Sequence, residues 1–233
     1  MKALSSLNDS MGVFAQTYRY LQKSKDPSSC VEELKQQWAH DILGRLRLKL
    51  QVVGEVSLDK SLLYVGNHIS YLDIAILLRS VPGISFVAKH EISSWPVFGK
   101  AAQKIETVFV KRENGDSRKS ARKSIHEALD RGQRVAIFPS GTTCITEKKP
   151  WKKGAFEIAH EQNYRIQPFR ITYNPLRAAA YIDQDFFPVH LYSLFALENI
   201  EATIEFHEPV NVTNPLEDCR RWCEWARKVS SPA

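Results

Sequence analysis

His68 and Asp73 lie five residues apart in Asn67-His68-Ile69-Ser70-Tyr71-Leu72-Asp73. A neutral imidazole can take a proton from an alcohol, and a carboxylate can hold the ring in the required tautomer and offset the imidazolium that forms. Five residues of ideal helix turn through about 500°, leaving two side chains ~140° apart. The pair therefore cannot meet inside one helix. It can meet if His68 stays on a loop and Asp73 enters the first helical turn, with Ser70 as N-cap. The same serine gives Asp73 a second possible role. Ser70-x-x-Asp73 matches a capping box, in which the carboxylate only closes a helix start.

Two later blocks carry groups suited to anions. Arg112 ends Phe109-Val110-Lys111-Arg112, and a guanidinium fork suits a phosphate. Phe138-Pro139 leads into Ser140-Gly141-Thr142-Thr143, whose backbone N–H groups and hydroxyls can hold a phosphate or an oxyanion. Lys153 adds positive charge soon after. Arg118, Lys119, Arg122 and Lys123 cluster on a basic stretch, which reads as a solvated face able to attract anionic headgroups. Taken singly, each of these is equally a surface arginine, a tight turn or a solvated lysine.

The elements that must position these groups show in the periodicity. Residues 9–24 read as an amphipathic helix with Asp9 as cap and with Met11, Phe14, Ala15, Tyr18 and Leu21 on one face. Asp26-Pro27-Ser28-Ser29 breaks the chain. A second helix is predicted over 31–45, with Leu34, Trp38 and Ile42 in a stripe. From residue 46 the period becomes two. Strands are predicted from 46 to about 52 and over 62–65, 84–88, 107–111, 135–138, 166–171 and 202–206, and helices over 71–79 and 117–131. A last helix opens at Pro215. Strands alternating with helices imply an α/β sheet flanked by helices. Functional groups of such folds collect where strands end, and both His68 and Ser140 follow a short apolar run. The apolar stretch 186–195 is either core or the lining of a groove.

The chain has 233 residues and is 43% hydrophobic and 25% charged, which suits one folded α/β unit and argues against extended disorder. Its net charge of +6 favours an anionic partner: a nucleic acid, a membrane surface or a phosphorylated substrate. No recognisable nucleic-acid-binding motif accompanies the charge. Cys30, Cys144, Cys219 and Cys223 lack zinc-site spacing and read as reduced thiols. The first nine residues have no apolar leader core, and no run approaches the ~20 apolar residues of a spanning helix.

In this order the blocks resemble the 1-acylglycerol-3-phosphate acyltransferase (lysophosphatidic acid acyltransferase) family of glycerolipid enzymes. Asn67 to Asp73 is similar to the family's N-H-x-S-x-x-D motif, and Phe109 to Arg112 to the second motif with its substrate-binding arginine. Phe138-Pro139-Ser140-Gly141-Thr142 is similar to F-P-E-G-T, and Pro168 to the proline of the fourth motif. Pro96, Gly99 and Lys153-Gly154 are lesser matches, and the likeness runs from about Arg47 to Val210. Ser140 stands where the family usually has glutamate, and Glu106 near where it has glycine.

The resemblance implies a mixed, largely parallel central sheet flanked by helices, the glycerolipid acyltransferase fold. Residues 1–45 would form N-terminal amphipathic helices with possible membrane-surface contact, and residues 46–233 the catalytic domain. It implies an O-acyltransferase with catalytic His68 and Asp73, and a substrate site of Arg112, Ser140, Gly141, Thr142, Thr143 and Lys153. The donor would be an acyl thioester, on coenzyme A or acyl carrier protein, with no bound cofactor, no metal and no acyl-enzyme. The acceptor would be 1-acylglycerol-3-phosphate, giving phosphatidic acid. Alternatives are another lyso-acceptor such as lyso-ornithine lipid, or a non-catalytic lipid-binding protein. Residence would be cytoplasmic, peripheral on the inner face of the cell membrane.

Overall fold

A computed structural model describes residues 2–110, 115–145, 150–182 and 185–228. Helices α1 (Lys2–Lys23) and α2 (Val31–Arg45) form an N-terminal hairpin. The chain then lays down β1 (Leu48–Val53), β2 (Leu63–Gly66), α3 (Leu72–Ser80) and β3 (Ile84–Lys89). A 3-10 turn over His90–Ser94 leads to α4 (Phe98–Lys104), β4 (Val108–Val110), α5 (Gly115–Asp130) and β5 (Arg134–Ile137). Next come α6 (Gly154–Glu161), β6 (Arg165–Asn174), α7 (Leu176–Ala179), α8 (Phe187–Ala196), β7 (Ile200–Phe206), β8 (Val210–Asn211) and α9 (Pro215–Arg227). The strands make one sheet in the order β1-β7-β6-β2-β5-β3-β4, with β8 also paired to β6. Every pairing is parallel except those of β6 with β7 and β8. The mixed, largely parallel sheet expected from the sequence is therefore the sheet observed.

Alternation within the buried strands divides the core in two. On β2, Leu63 and Val65 face one layer, with Leu129 of α5, Phe156 of α6 and Trp222 of α9. Tyr64 faces the other, with Ile42 of α2, Ile76 of α3 and Leu191 of α8. Parallel central strands buried on both sides read as continuous apolar runs, which is why β2 is visible in the sequence.

The N-terminal hairpin corrects two expectations. Asp9 does not cap α1, which begins at Lys2 because no glycine or proline interrupts residues 2–11. Asp9 instead lies mid-helix, 3.5 Å from the Arg45 guanidinium. The expected apolar face of α1 is also split. Val13, Gln16 and Thr17 are buried, while Met11 is 65% and Tyr18 54% exposed. The buried side is tied to α2 by polar bonds. Tyr20 Oη donates to Asp41 at 2.7 Å, Trp38 Nε1 to Thr17 Oγ1 at 3.0 Å, and Arg45 Nε to Gln16 at 3.1 Å.

Candidate active site

Adjacent parallel strands send their C-terminal ends the same way, and the register makes the consequence definite. Val65 pairs with Ile137, so the residues after β2 and after β5 emerge side by side. Strand β6 pairs Phe169 with Gly66, then runs on to Asn174 past the end of β2. Gly66 is required at this junction, since a Cβ there would lie 2.5 Å from the Phe169 carbonyl oxygen. Asn67 then continues the ladder with its side chain. Its Nδ2 donates to the Ile171 carbonyl at 2.8 Å, and its Oδ1 accepts from the Ile171 N–H at 2.7 Å. Where the chain leaves the sheet its next two carbonyls are bonded: the His68 carbonyl accepts from Cys144 N–H at 2.8 Å, and the Ile69 carbonyl from Tyr181 N–H at 3.0 Å.

His68 is on the loop and Asp73 is the second residue of α3, the layout the spacing requires. His68 Nδ1 lies 2.7 Å from Asp73 Oδ2. Asp73 is fully buried, and Oδ2 also accepts from the Ile69 N–H at 2.8 Å and the Ser70 N–H at 3.1 Å. The capping role and the pairing with His68 are therefore simultaneous. One carboxylate oxygen reaches back to the N–H groups of Ile69 and Ser70, just ahead of α3, and takes the imidazole N–H as well. With Nδ1 committed as donor, Nε2 carries the lone pair, and it makes no hydrogen bond among the described residues. The Phe138 ring stacks on the imidazole, with centroids 4.0 Å apart and planes 15° apart. Phe138 in turn meets Phe169 edge-on at 5.9 Å.

The other expected site residues separate into groups. Gly141, Thr142 and Thr143 line the same cavity as His68. The Gly141 N–H is bonded to the Phe138 carbonyl at 3.0 Å, closing a turn in which Gly141 takes φ +72. It is thus committed, whereas the Thr142 and Thr143 N–H groups have no partner among the described residues. Ser140 is buried, and its Oγ donates to the Thr142 carbonyl at 2.8 Å, so it braces the loop. Lys153 is exposed just before α6 and pairs with Glu157 at 3.0 Å, away from the cavity lining. Arg112 lies outside the described residues. The strand leading to it ends at Val110, at the same edge of the sheet as His68. Glu106 has φ +57, in the left-handed region that glycine takes freely.

The cavity has a volume of about 480 Å³, inside the usual range of ligand pockets. It runs from His68 under the α1–α2 hairpin. The predicted stripe of Leu34, Trp38 and Ile42 faces it, together with Val13, Leu72 and Phe98. From the apolar stretch 186–195, Phe187 and Leu191 line it. Leu194 and Phe195 are core, and Phe186 is exposed. A base that opens onto an apolar hollow can deprotonate a hydroxyl whose substrate carries a long hydrocarbon chain.

Asn67 and Phe138 have duties that the sequence pattern does not assign. Asn67 splices the loop to β6, and Phe138 fixes the plane of the imidazole. Tyr173, whose hydroxyl donates to Asp73 Oδ1 at 2.5 Å, was missed because the strand was expected to stop at Ile171. The alternation Phe169, Ile171, Tyr173 was the available signal.

A family model described as acyltransferase matches residues 49–172. A lyso-ornithine lipid O-acyltransferase from Pseudomonas aeruginosa is 32% identical over 193 residues, covering 79% of this chain and 74% of its own. A 1-acyl-sn-glycerol-3-phosphate acyltransferase from Neisseria gonorrhoeae is 35% identical over 112 residues, 48% of this chain and 44% of its own. The crystal structure of the 1-acyl-sn-glycerophosphate (LPA) acyltransferase PlsC from Thermotoga maritima shares the fold. Its TM-score is 0.73 at 18% identity, with 99% of this chain and 96% of that one covered. The histidine–aspartate pair at a sheet edge, the apolar cavity beside it and these likenesses converge: the chain belongs to the acyltransferase family, on the glycerolipid side that includes the 1-acylglycerol-3-phosphate acyltransferases, and is an O-acyltransferase.

Proposed function

We propose that the protein transfers a fatty acyl group from an acyl thioester, on coenzyme A or acyl carrier protein, to the free hydroxyl of a lysolipid. The carrying observation is His68, held through Nδ1 by a buried carboxylate and lining an apolar cavity with its ring. His68 Nε2 takes the acceptor's hydroxyl proton as the oxygen attacks the thioester carbonyl. The Thr142 and Thr143 N–H groups receive the developing oxyanion. The carbon–sulfur bond breaks as the ester forms, and the imidazolium returns its proton to the departing thiolate. General-base help of this kind contributes about 10²–10⁴-fold. The acyl chain lies in the cavity below the hairpin.

Two acceptors are in play. Arg112 and the order of motifs point to 1-acylglycerol-3-phosphate. Lyso-ornithine lipid is favoured by a relative of that activity covering 79% of the chain, and by Ser140 in place of a glutamate. A panel of lyso-acceptors with acyl-coenzyme A and acyl carrier protein donors, read by product mass, separates them. With the phosphate acceptor Arg112→Ala raises KM; with the ornithine acceptor it changes little. Undiminished turnover by folded His68→Ala would overturn the mechanism.

The site works at the inner face of the cell membrane in this reading. Residues 1–45 form the surface-binding element and residues 46–233 the catalytic unit. Among the described residues no helix is long and apolar enough to cross a membrane. Leu7, Met11, Ala15 and Tyr18 instead make one exposed row along α1, with Phe186 and Val189 exposed at the start of α8, which packs on α1. Such a row suits a helix lying in the headgroup layer. Met11→Glu should weaken sedimentation with anionic vesicles.

A further inference from the structure

Four donors converge on the Asp73 carboxylate, and they are unequally divided. Oδ2 accepts three N–H groups, from His68, Ile69 and Ser70, all within the same short segment. Oδ1 has one partner among the described residues, the Tyr173 hydroxyl at 2.5 Å, one hundred positions along the chain. Tyr173 sits on the part of β6 that outruns β2. It is locked there on one side by the Asn67–Ile171 bonds and on the other by pairing with Ala202 of β7.

We propose that Tyr173 is a positioning residue for the His68–Asp73 pair. Its hydroxyl fixes rotation about the Asp73 Cβ–Cγ bond, so that Oδ2 stays in line with His68 Nδ1. The inference rests on the reading of that pair as the acid–base machinery.

Three observations support it. Tyr173 is only 4% exposed and does not line the cavity, so its hydroxyl has no route to substrate. Its strand neighbours on the same face, Phe169 and Ile171, fill the core with apolar atoms alone. A phenylalanine would pack as well, and only the carboxylate gives the hydroxyl something to do. Burial, then the adjacent Asp73 charge, push the Tyr173 phenol well above its ordinary range, so it remains a donor wherever the enzyme works. The loop holding His68 and Asp73 is thereby referenced to the rigid sheet. Without that bond the three remaining donors can follow the carboxylate as it turns.

The test is Tyr173→Phe, which removes one oxygen and keeps the ring. A hydrogen bond to a charged acceptor sets the scale, so kcat should fall about tenfold with KM for donor and acceptor unchanged. Added to Asp73→Ala, the change should cost no further kcat per folded molecule, because Tyr173 then has no side chain left to orient. Unchanged kcat per folded molecule, whatever happens to the melting temperature, would overturn the proposal. So would the full loss recurring in the Asp73→Ala background. His68→Ala run alongside keeps the two readings apart. An active His68→Ala enzyme would sink the pair itself, whereas an inactive one beside a fully active Tyr173→Phe would sink only the role of Tyr173.

Discussion

Asp73→Asn separates the two duties that one carboxylate performs. The amide oxygen can still face the three N–H groups at the Oδ2 position, with the NH₂ turned toward the Tyr173 oxygen, which can accept. The opposite orientation would set donor against three donors, so the first is the one expected. Bonds to a charged acceptor contribute roughly 1 kcal/mol more than neutral ones, so neutralising three of them costs about 3 kcal/mol. For a chain of this size that lowers the melting temperature by roughly 6–12 °C. The His68 tautomer survives, but the charge that offsets the imidazolium does not. In the proposed mechanism kcat should therefore fall by about 10²–10⁴-fold with KM little changed. Ser70→Ala is the control: it removes a weak 3.4 Å cap bond to the Leu72 N–H and should leave kcat alone. The assay is transfer of labelled acyl chains, with thermal unfolding measured on the same preparations. An Asp73→Asn enzyme of undiminished kcat would refute the charge-offset reasoning. An unchanged melting temperature would refute the assignment of Asp73 as the anchor of the loop ahead of α3.

Phe138→Leu keeps apolar bulk but loses the stacked face on His68; a stack of this kind is worth about 0.5–1.5 kcal/mol, so kcat should drop up to roughly tenfold, read by steady-state turnover. Gly66→Ala drives a methyl into the Phe169 backbone and ring; overpacking of about 1–3 kcal/mol should lower the melting temperature, with activity falling as Asn67 is displaced. Burial pushes the His190 imidazole below its ordinary 6.5, outweighing the Ala180 carbonyl and Asp185, which pull it up. The unfolded chain therefore binds the proton first as pH falls, and stability present above about pH 6.5 is lost below it. Melting temperatures across that window should show a decline that His190→Gln flattens.

Most of the sheet was legible because its central strands are short apolar runs between polar punctuation. The segment around His68 was legible for a different reason: spacing alone excluded a single helix. The N-terminal hairpin was harder. Helix α1 buries Ser6, Ser10, Gln16 and Thr17, residues no hydrophobic pattern would place inside. Ser10 and Thr17 bond back to the carbonyls of Ser6 and Val13, and Gln16 accepts from Arg45, so their polar groups are satisfied locally. An apolar stripe read from sequence can face a core, a cavity or a lipid surface, and periodicity does not distinguish them. That is why Leu34, Trp38 and Ile42 line the cavity while Met11 and Tyr18 point outward. Tyr173 was hidden because its partner is one hundred residues away, and nothing local marks a tyrosine in a strand as different from a packed aromatic.

The seven residues from Asn67 to Asp73 make an economical junction. A strand that ends must satisfy its last backbone groups, and a helix that begins must satisfy its first N–H groups. Between Gly66 and Leu72 only five residues are available for both tasks. Asn67 completes the first with an amide that mimics a further rung of the ladder. The Ser70 and Tyr71 carbonyls take up the second by accepting from Asp73 and Ile74 N–H, and the Asp73 side chain ties the loop to that turn by reaching back to Ile69 and Ser70. The imidazole of His68 sits between these two closures. Its position is set by structure that the fold needs in any case, and the carboxylate oxygen that ties down the loop doubles as the partner of Nδ1. Lengthening the loop by a single residue would relax both closures together. The same economy explains why the spacing of histidine and aspartate is informative, although neither residue is rare: at this distance the strand end, the helix start and the histidine–aspartate pair are one geometric object.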